Sequence, residues 1–240
     1  MDTKERNENK SGQAQFQADE VYKILQALRA CGDLALKPEQ IRYLKCRRCA
    51  ELLLSVSALL LLSPLFLTVI VIQKISSPGE PVFFRQQRVG RYGKSFSVIK
   101  FRSMKQDAPS MVATEALEHP EQYITPFGRF LRKSSIDELP QLWNVVRGEM
   151  SLIGPRPLII DEEEIQLLRW YYGIYAVRPG ITGWAQVNGR DLVNIYEKVR
   201  YDREYVRGVG LKMDLKVLLK SVLVVFGHIG YQEGETQRQS

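Results

Sequence analysis

A chain of 240 residues with 45% hydrophobic and 25% charged side chains can bury one substantial core, and its composition excludes a wholly disordered protein. Lys and Arg number 34 against 27 for Asp and Glu, and this net charge of +7 suits an anionic partner: nucleic acid, a membrane surface or a phosphorylated substrate. Three cysteines and two histidines exclude a disulfide framework and an all-protein zinc site.

Residues 1–40 read as a polar extension. Positions 1–18 are almost without apolar side chains, and Val21, Ile24, Leu25 and Leu28 then recur at helical spacing, predicting one short helix that Gly32 and Pro38 end. A mean hydropathy of −0.21 conceals one strongly apolar segment. Residues 52–72 form an uncharged run of 21, about the length a helix needs to cross the hydrocarbon core. Ser63-Pro64 interrupts it near the middle, where proline removes a backbone donor and crowds the preceding turn.

The flanking charges bear on topology. Lys45, Arg47 and Arg48 precede the run. Arg85, Arg88, Arg91, Lys94, Lys100, Arg102 and Lys105 come after it, with no acid in residues 81–106. Both ends therefore favour the cytoplasmic side. A re-entrant helix over residues 41–75, broken at Ser63-Pro64 and leaving by the leaflet it entered, satisfies both flanks. The alternative is an ordinary span with a proline kink. The fold class expected is α+β and predominantly helical, a monotopic membrane protein with a cytoplasmic domain over residues 76–227 and a polar tail over 228–240.

Within that domain, Val82-Phe83-Phe84 and Phe96-Ser97-Val98-Ile99 read as strands of a small β-hairpin joined through Gly90 and Gly93. The remainder reads as helices separated by Gly- and Pro-rich loops. Ser135 and Glu138 have capping-box spacing ahead of Leu139, Leu142, Trp143 and Val146. That predicts a helix start with Asp137 ionised and outward-facing in its first turn. Arg129, Arg132 and Lys133 stand just upstream, so acids and cations meet as they do at metal-assisted phosphoryl sites. The plainer alternative is that Asp137 and Glu138 only cap the helix.

Two later loops suggest anion contacts. Pro155 and Pro157 stiffen the backbone on either side of Arg156, presenting a rigid fork of donors. Gly180, Gly183 and Gly189 lie between Arg178 and Arg190, where glycines let the backbone approach a ligand closely. Leu167, Leu168, Trp170, Tyr171 and Tyr172 form an aromatic-rich patch, and residues 211–226 an apolar helix with Lys212, Lys216 and Lys220 four apart. Both suit amphipathic interfacial helices or, equally, packing on the domain's own core. Cys46 and Cys49 read as small buried residues, and His119 and His228 have no evident partner.

The stretch SIDELPQLWNVVRGEMSLIGPRPL followed by VRPGITGWAQVNGR closely resembles the bacterial sugar transferases known as monotopic phosphoglycosyl transferases. QQRVGRYGKSFSVIKFRSM and the Ser-Pro break are similar to the same family, and the likeness runs over residues 43–226. It implies transfer of a sugar-1-phosphate from a UDP-sugar to polyprenyl (undecaprenyl) phosphate with release of UMP, the first membrane step of surface glycan assembly. It implies Asp137 as nucleophile and Mg²⁺ contact, with Glu138 as its dyad partner. It implies Arg132, the Pro155-Arg156-Pro157 loop and Arg190 as substrate contacts, and Asp214 as a further site acid. It places the enzyme at the bacterial inner membrane with its catalytic domain on the cytoplasmic face. Nucleic acid drops out as a partner, and a homo-oligomer stays open. The competing reading is a non-catalytic, membrane-anchored basic binding protein, which would not require Asp137, Glu138 or the Pro-Arg-Pro loop.

Overall fold

The structure, a computed structural model, describes residues 36–108, 120–189 and 194–227. The short helix expected in the extension, the polar tail, Cys31, His119, Arg190 and His228 lie outside these. The described chain is α+β and mainly helical, with eight α-helices and two small sheets.

Helix α1 (Pro38–Leu61) begins with proline at its first position, where the missing N–H costs nothing. Gln40, Tyr43, Leu44, Arg47, Arg48, Glu51 and Ser55 recur three or four apart and form its docked face. That face is polar. Arg47 donates from Nη1 to Tyr205 at 2.8 Å and to Asp214 at 2.7 Å, and from Nη2 to Ser151 at 2.7 Å. Glu51 accepts from the Ser151 hydroxyl and from the Leu152 amide. Tyr43 and Tyr205 also donate to Asp214, at 2.6 and 2.9 Å. Cys46 and Cys49 fall on the opposite face and are exposed, not buried as the sequence suggests.

Past Ser55 the docked face ends, and Val56, Leu60 and Leu61 stand exposed, Leu61 at 80%. At Ser63-Pro64 the axis bends by 55° into helix α2 (Ser63–Ser76). The Ser63 hydroxyl donates to the Leu60 carbonyl at 2.7 Å, satisfying one group near the break. Helix α2 returns to the domain: Val69 is buried, and Leu65, Phe66 and Ile70 pack around Phe101 and Leu131. Among the described residues no single helix is long and apolar enough to cross a membrane, but the bent pair qualifies when taken together.

Strands β1 (Phe83–Val89) and β2 (Ser95–Phe101) form the expected hairpin, paired antiparallel from Phe83 with Phe101 to Val89 with Ser95. Both strands run longer than their apolar cores suggest. Helix α3 (Pro126–Lys133) is capped by the Thr125 hydroxyl, which accepts from the Gly128 amide at 2.9 Å. Helix α4 (Gln141–Arg147) packs Val145 against Phe96 and Val98 of β2.

Strand β3 (Ser151–Ile153) pairs in parallel with β4 (Gly180–Thr182), a sheet the sequence does not suggest. Helices α5 (Glu163–Tyr171), α6 (Trp184–Asn188), α7 (Ile195–Gly208) and α8 (Leu211–Gly227) complete the chain. Ile165, Ile174, Val199, Tyr205 and Val217 lie in the largest apolar cluster. Helix α8 buries Asp214 and Val217 but leaves Leu211, Leu215, Leu219 and Leu223 exposed. Leu168 of α5 and Tyr172 just after it pack on the core, while Leu167 and Tyr171 are exposed.

Candidate active site

A cleft of about 1370 Å³ opens between the hairpin, the α3–α4 junction, the Pro-Arg-Pro loop and α5. Its wall at the α3–α4 junction departs from the expected helix start. Ser135 takes a left-handed backbone (φ 56°) and makes no side-chain cap. Residues Ile136–Glu138 form one 3₁₀ turn, and α4 begins only at Gln141. Reversing the chain this tightly directly after α3 requires positive φ at Ser135, which moves its hydroxyl out of capping position. Asp137 is consequently not an outward carboxylate in a first helical turn. It is buried, 8% exposed, on the cleft wall.

The two acids of the dyad differ in their surroundings. Glu138 accepts from Lys100 Nζ at 2.7 Å and from Arg156 Nη2 at 3.2 Å. Asp137 has no hydrogen bond or ion pair among the described residues. Burial pushes Asp137 up to about 6, against the opposing pull of Lys100, while the Glu138 charge adds to the rise. Burial acts on Glu138 in the same direction, but Lys100 and Arg156 outweigh it and hold that carboxyl well below the usual range. Two neighbouring carboxyls with values driven apart mark different chemical roles. Glu138 is a fixed anion that orients two cations. Asp137 is a buried carboxylate on the cleft wall with a raised affinity for its proton, drawn on electrostatically by Lys100, Arg132 and Arg156.

Arg132 and Arg156 line the cleft with this pair, and so does Pro157; Pro155 is buried behind them. The loop is stiffened by more than its prolines. The Gly180 amide donates to the Pro155 carbonyl at 2.9 Å, and Arg88 Nη1 donates to the Pro157 carbonyl at 3.0 Å. The glycines of the later loop serve the same contact. A Cβ on Gly180 would lie 2.1 Å from the Gly154 nitrogen, and one on Gly183 would lie 2.2 Å from the Gly154 oxygen. At Gly180 and Gly183 the close approach is to the protein's own backbone. Arg178 likewise donates to the Gly148 carbonyl at 2.8 Å.

Asp214 is not brought to the cleft. It lies in the buried Arg47 network, where three protein donors occupy its oxygens. Lys100, by contrast, is central to the site, although the sequence presents it only as a flanking charge. A signal for it exists: it continues the row Phe96, Val98, Lys100 on one face of β2, so a lysine succeeds two buried apolar residues in register.

No group of three or more His, Cys, Asp or Glu side chains among the described residues is placed to hold a metal alone. The site nevertheless fits Mg²⁺, which is commonly held by one or two carboxylates together with substrate phosphates and waters. Glu138 is held by its two cations, so Asp137 is the carboxylate left for that contact.

The chain is similar to known proteins in sequence. The UDP-glucose:undecaprenyl-phosphate glucose-1-phosphate transferase of Escherichia coli (strain K12) is 41% identical over 187 residues, 75% of this chain and 40% of that protein. The exopolysaccharide production protein ExoY of Rhizobium meliloti (strain 1021) is 36% identical over 193 residues, 75% of this chain and 84% of the relative. The UDP-N-acetylgalactosamine-undecaprenyl-phosphate N-acetylgalactosaminephosphotransferase of Aeromonas hydrophila is 37% identical over 202 residues, 82% of this chain and 47% of that protein. This chain thus spans about two fifths of the first relative's length and most of ExoY. Residues 42–228 match the bacterial sugar transferase family, a stretch that takes in the helix pair, the hairpin and the cleft, and the chain belongs to that family.

Proposed function

We propose that this protein transfers a sugar-1-phosphate from a UDP-sugar to a membrane polyprenyl phosphate, releasing UMP, through a covalent intermediate on Asp137. The observation that carries this reading is the buried Asp137 carboxylate on the cleft wall, its proton affinity raised, beside a Glu138 that is already ion-paired. An Asp137 oxygen attacks the sugar-side phosphorus. A new O–P bond forms, the bond to the bridging oxygen breaks, and UMP leaves with that electron pair. The acceptor phosphate then attacks the same phosphorus and frees the aspartate. Lys100, Arg132 and Arg156 set the field that receives the diphosphate. When bound through Asp137 and the substrate phosphates, Mg²⁺ would neutralise charge on the diphosphate and the departing UMP.

A lipid acceptor demands a site at headgroup level. The bent pair α1–α2 supplies a reason: both outer ends dock on one domain, while the leucines near the bend are exposed. This supports a re-entrant hairpin that enters and leaves by the cytoplasmic leaflet, with the exposed leucines of α8 beside it. The rival, a non-catalytic basic anchor, gives no role to a buried carboxylate in a cleft.

The test is UMP release from a panel of UDP-sugars with polyprenyl phosphate and Mg²⁺, for wild type and Asp137→Asn. Wild type should turn over one or a few of the sugars, and the variant none. The relatives' names differ in their sugar, glucose in one and N-acetylgalactosamine in another, so the panel also assigns the donor. Near-normal turnover by the variant would end the covalent reading. For topology, single cysteines near Asp2 and Gln239 in a cysteine-free background should both label from the cytoplasm. Periplasmic labelling at one end only would exclude the hairpin.

A further inference from the structure

Three successive carbonyls of the Pro-Arg-Pro loop are each held by a separate donor. Those of Pro155 and Pro157 accept from the Gly180 amide and from Arg88. The middle one, Arg156, accepts from Arg169 Nη1 at 2.7 Å. Arg169 comes from α5 and is 3% exposed. Its other terminal nitrogen, Nη2, donates at 2.5 Å to Asp202 of α7, which is 0% exposed.

A buried ion pair of this kind is poor evidence for stability. Removing two charges from water costs several kcal/mol per ion, and apolar residues of similar volume are often as stabilising. This pair is also incompletely hydrogen-bonded: Arg169 Nε and Asp202 Oδ1 are buried with no hydrogen-bond partner among the described residues. What the pair does accomplish is geometric. The guanidinium is a rigid planar fork, so one nitrogen fixed on Asp202 aims the other at the Arg156 carbonyl. That carbonyl belongs to the residue whose side chain reaches Glu138. Pro155 and Pro157 have no backbone N–H to donate, so the hydrogen bonds that their backbones make run through their carbonyls.

We infer that Arg169, oriented by Asp202, is a positioning residue that fixes the Pro-Arg-Pro backbone so that Arg156 is presented to the UDP-sugar diphosphate. The inference rests on the reading of Arg156 as a phosphate contact and adds the two buried residues through which that contact is set. Lysine at position 169 keeps the charge but not the planar fork, so it does not reproduce the two separate, rigidly linked nitrogens that meet Asp202 and the Arg156 carbonyl.

The experiment is a double-mutant cycle on steady-state UMP release by the full chain, with Arg156→Ala, Arg169→Lys and the double variant, each checked for cooperative thermal unfolding. Arg156→Ala should lower kcat/KM about 10-fold to 100-fold, the range for losing a charge-assisted contact. Arg169→Lys should lower it about 10-fold, chiefly by raising KM for the UDP-sugar. Added to Arg156→Ala, it should cost less than about 2-fold more, because the residue it positions is already gone. An equal, multiplicative loss in both backgrounds would overturn the inference and make Arg169 a direct ligand or an independent strut. So would a fully active Arg169→Lys. An Arg156→Ala enzyme with normal kinetics would instead overturn the reading of Arg156 beneath it. If Arg169→Lys does not fold, Asp202→Asn preserves shape and one acceptor and carries the same cycle.

Discussion

The cluster around Arg47 and the cluster at the cleft both combine carboxylates with arginine, and they are built to opposite ends. Around Arg47, the acids Glu51 and Asp214 are enclosed with Tyr43, Tyr205 and Ser151, and their oxygens accept from several protein donors. At the cleft, Glu138 is ion-paired with Lys100 and Arg156, while Asp137 beside it feels the same cations without a hydrogen bond from them. The first cluster ties the hydrophobic helix pair to the domain. The second leaves the Asp137 carboxylate on the cleft wall without a hydrogen bond from a described residue, which is what the proposed chemistry requires. An acid next to cations is therefore not a functional site by itself; the difference lies in whether its lone pairs are already taken.

The comparison predicts different losses at the two clusters. Asp137→Asn should reduce UMP release roughly 10⁴-fold or more, as expected on removing a nucleophile. Arg47→Met should leave turnover chemistry untouched in principle but destabilise the protein by about 3–5 kcal/mol, because two buried acids lose their shared cation. Thermal unfolding in detergent would show this, and a milder effect of Arg47→Met in an Asp214→Asn background would confirm the coupling.

The same contrast gives Asp137→Asn a second consequence. Asp137 rises from an ordinary 3.8 to about 6 in the folded protein. A raised carboxyl contributes stability that is fully present below its unfolded value and is lost as pH rises through about 6. At pH 7.5 without Mg²⁺, the inactive variant should therefore be more stable than wild type, on the order of 2–3 kcal/mol. A variant less stable than wild type would contradict the burial of an unpaired charge. Lys100→Met should act in the other direction on chemistry. Lys100 holds Asp137 down, so its removal should shift the acid limb of the kcat/KM profile to higher pH and cost about 10-fold in activity. The smallest effect belongs to Ser135→Gly, which relieves the left-handed backbone and should raise stability by up to about 1 kcal/mol.

Local features are the legible ones. The hairpin is written in two β-rich apolar runs separated by Gly90 and Gly93, and the helix break in Ser63-Pro64 within an uncharged run. Contacts between distant segments are not legible. Strands of three residues, Ser151–Ile153 and Gly180–Thr182, carry too little pattern to announce a parallel pair. The capping box fails because Ser135 and Glu138 have the right spacing but the wrong backbone: a left-handed residue cannot cap the turn that begins after it. Arg47 is legible as a flanking charge, and only the fold shows that it is nearly buried in a polar network. Likeness alone assigns Asp214 to the site, and it sits instead in that network. Lys100 is hidden within a run of basic residues, although its strand register sets it apart.

The most direct test of the account is whether the phosphosugar ever resides on the protein. Wild-type enzyme incubated with its UDP-sugar and Mg²⁺, without polyprenyl phosphate, should release about one equivalent of UMP. Intact-protein mass spectrometry should then show a gain of one sugar phosphate, mapped to Asp137 by peptide analysis and absent from Asp137→Asn. UMP release that strictly requires the lipid acceptor, with no mass gain on the protein, would contradict the covalent mechanism and make Asp137 something other than the nucleophile.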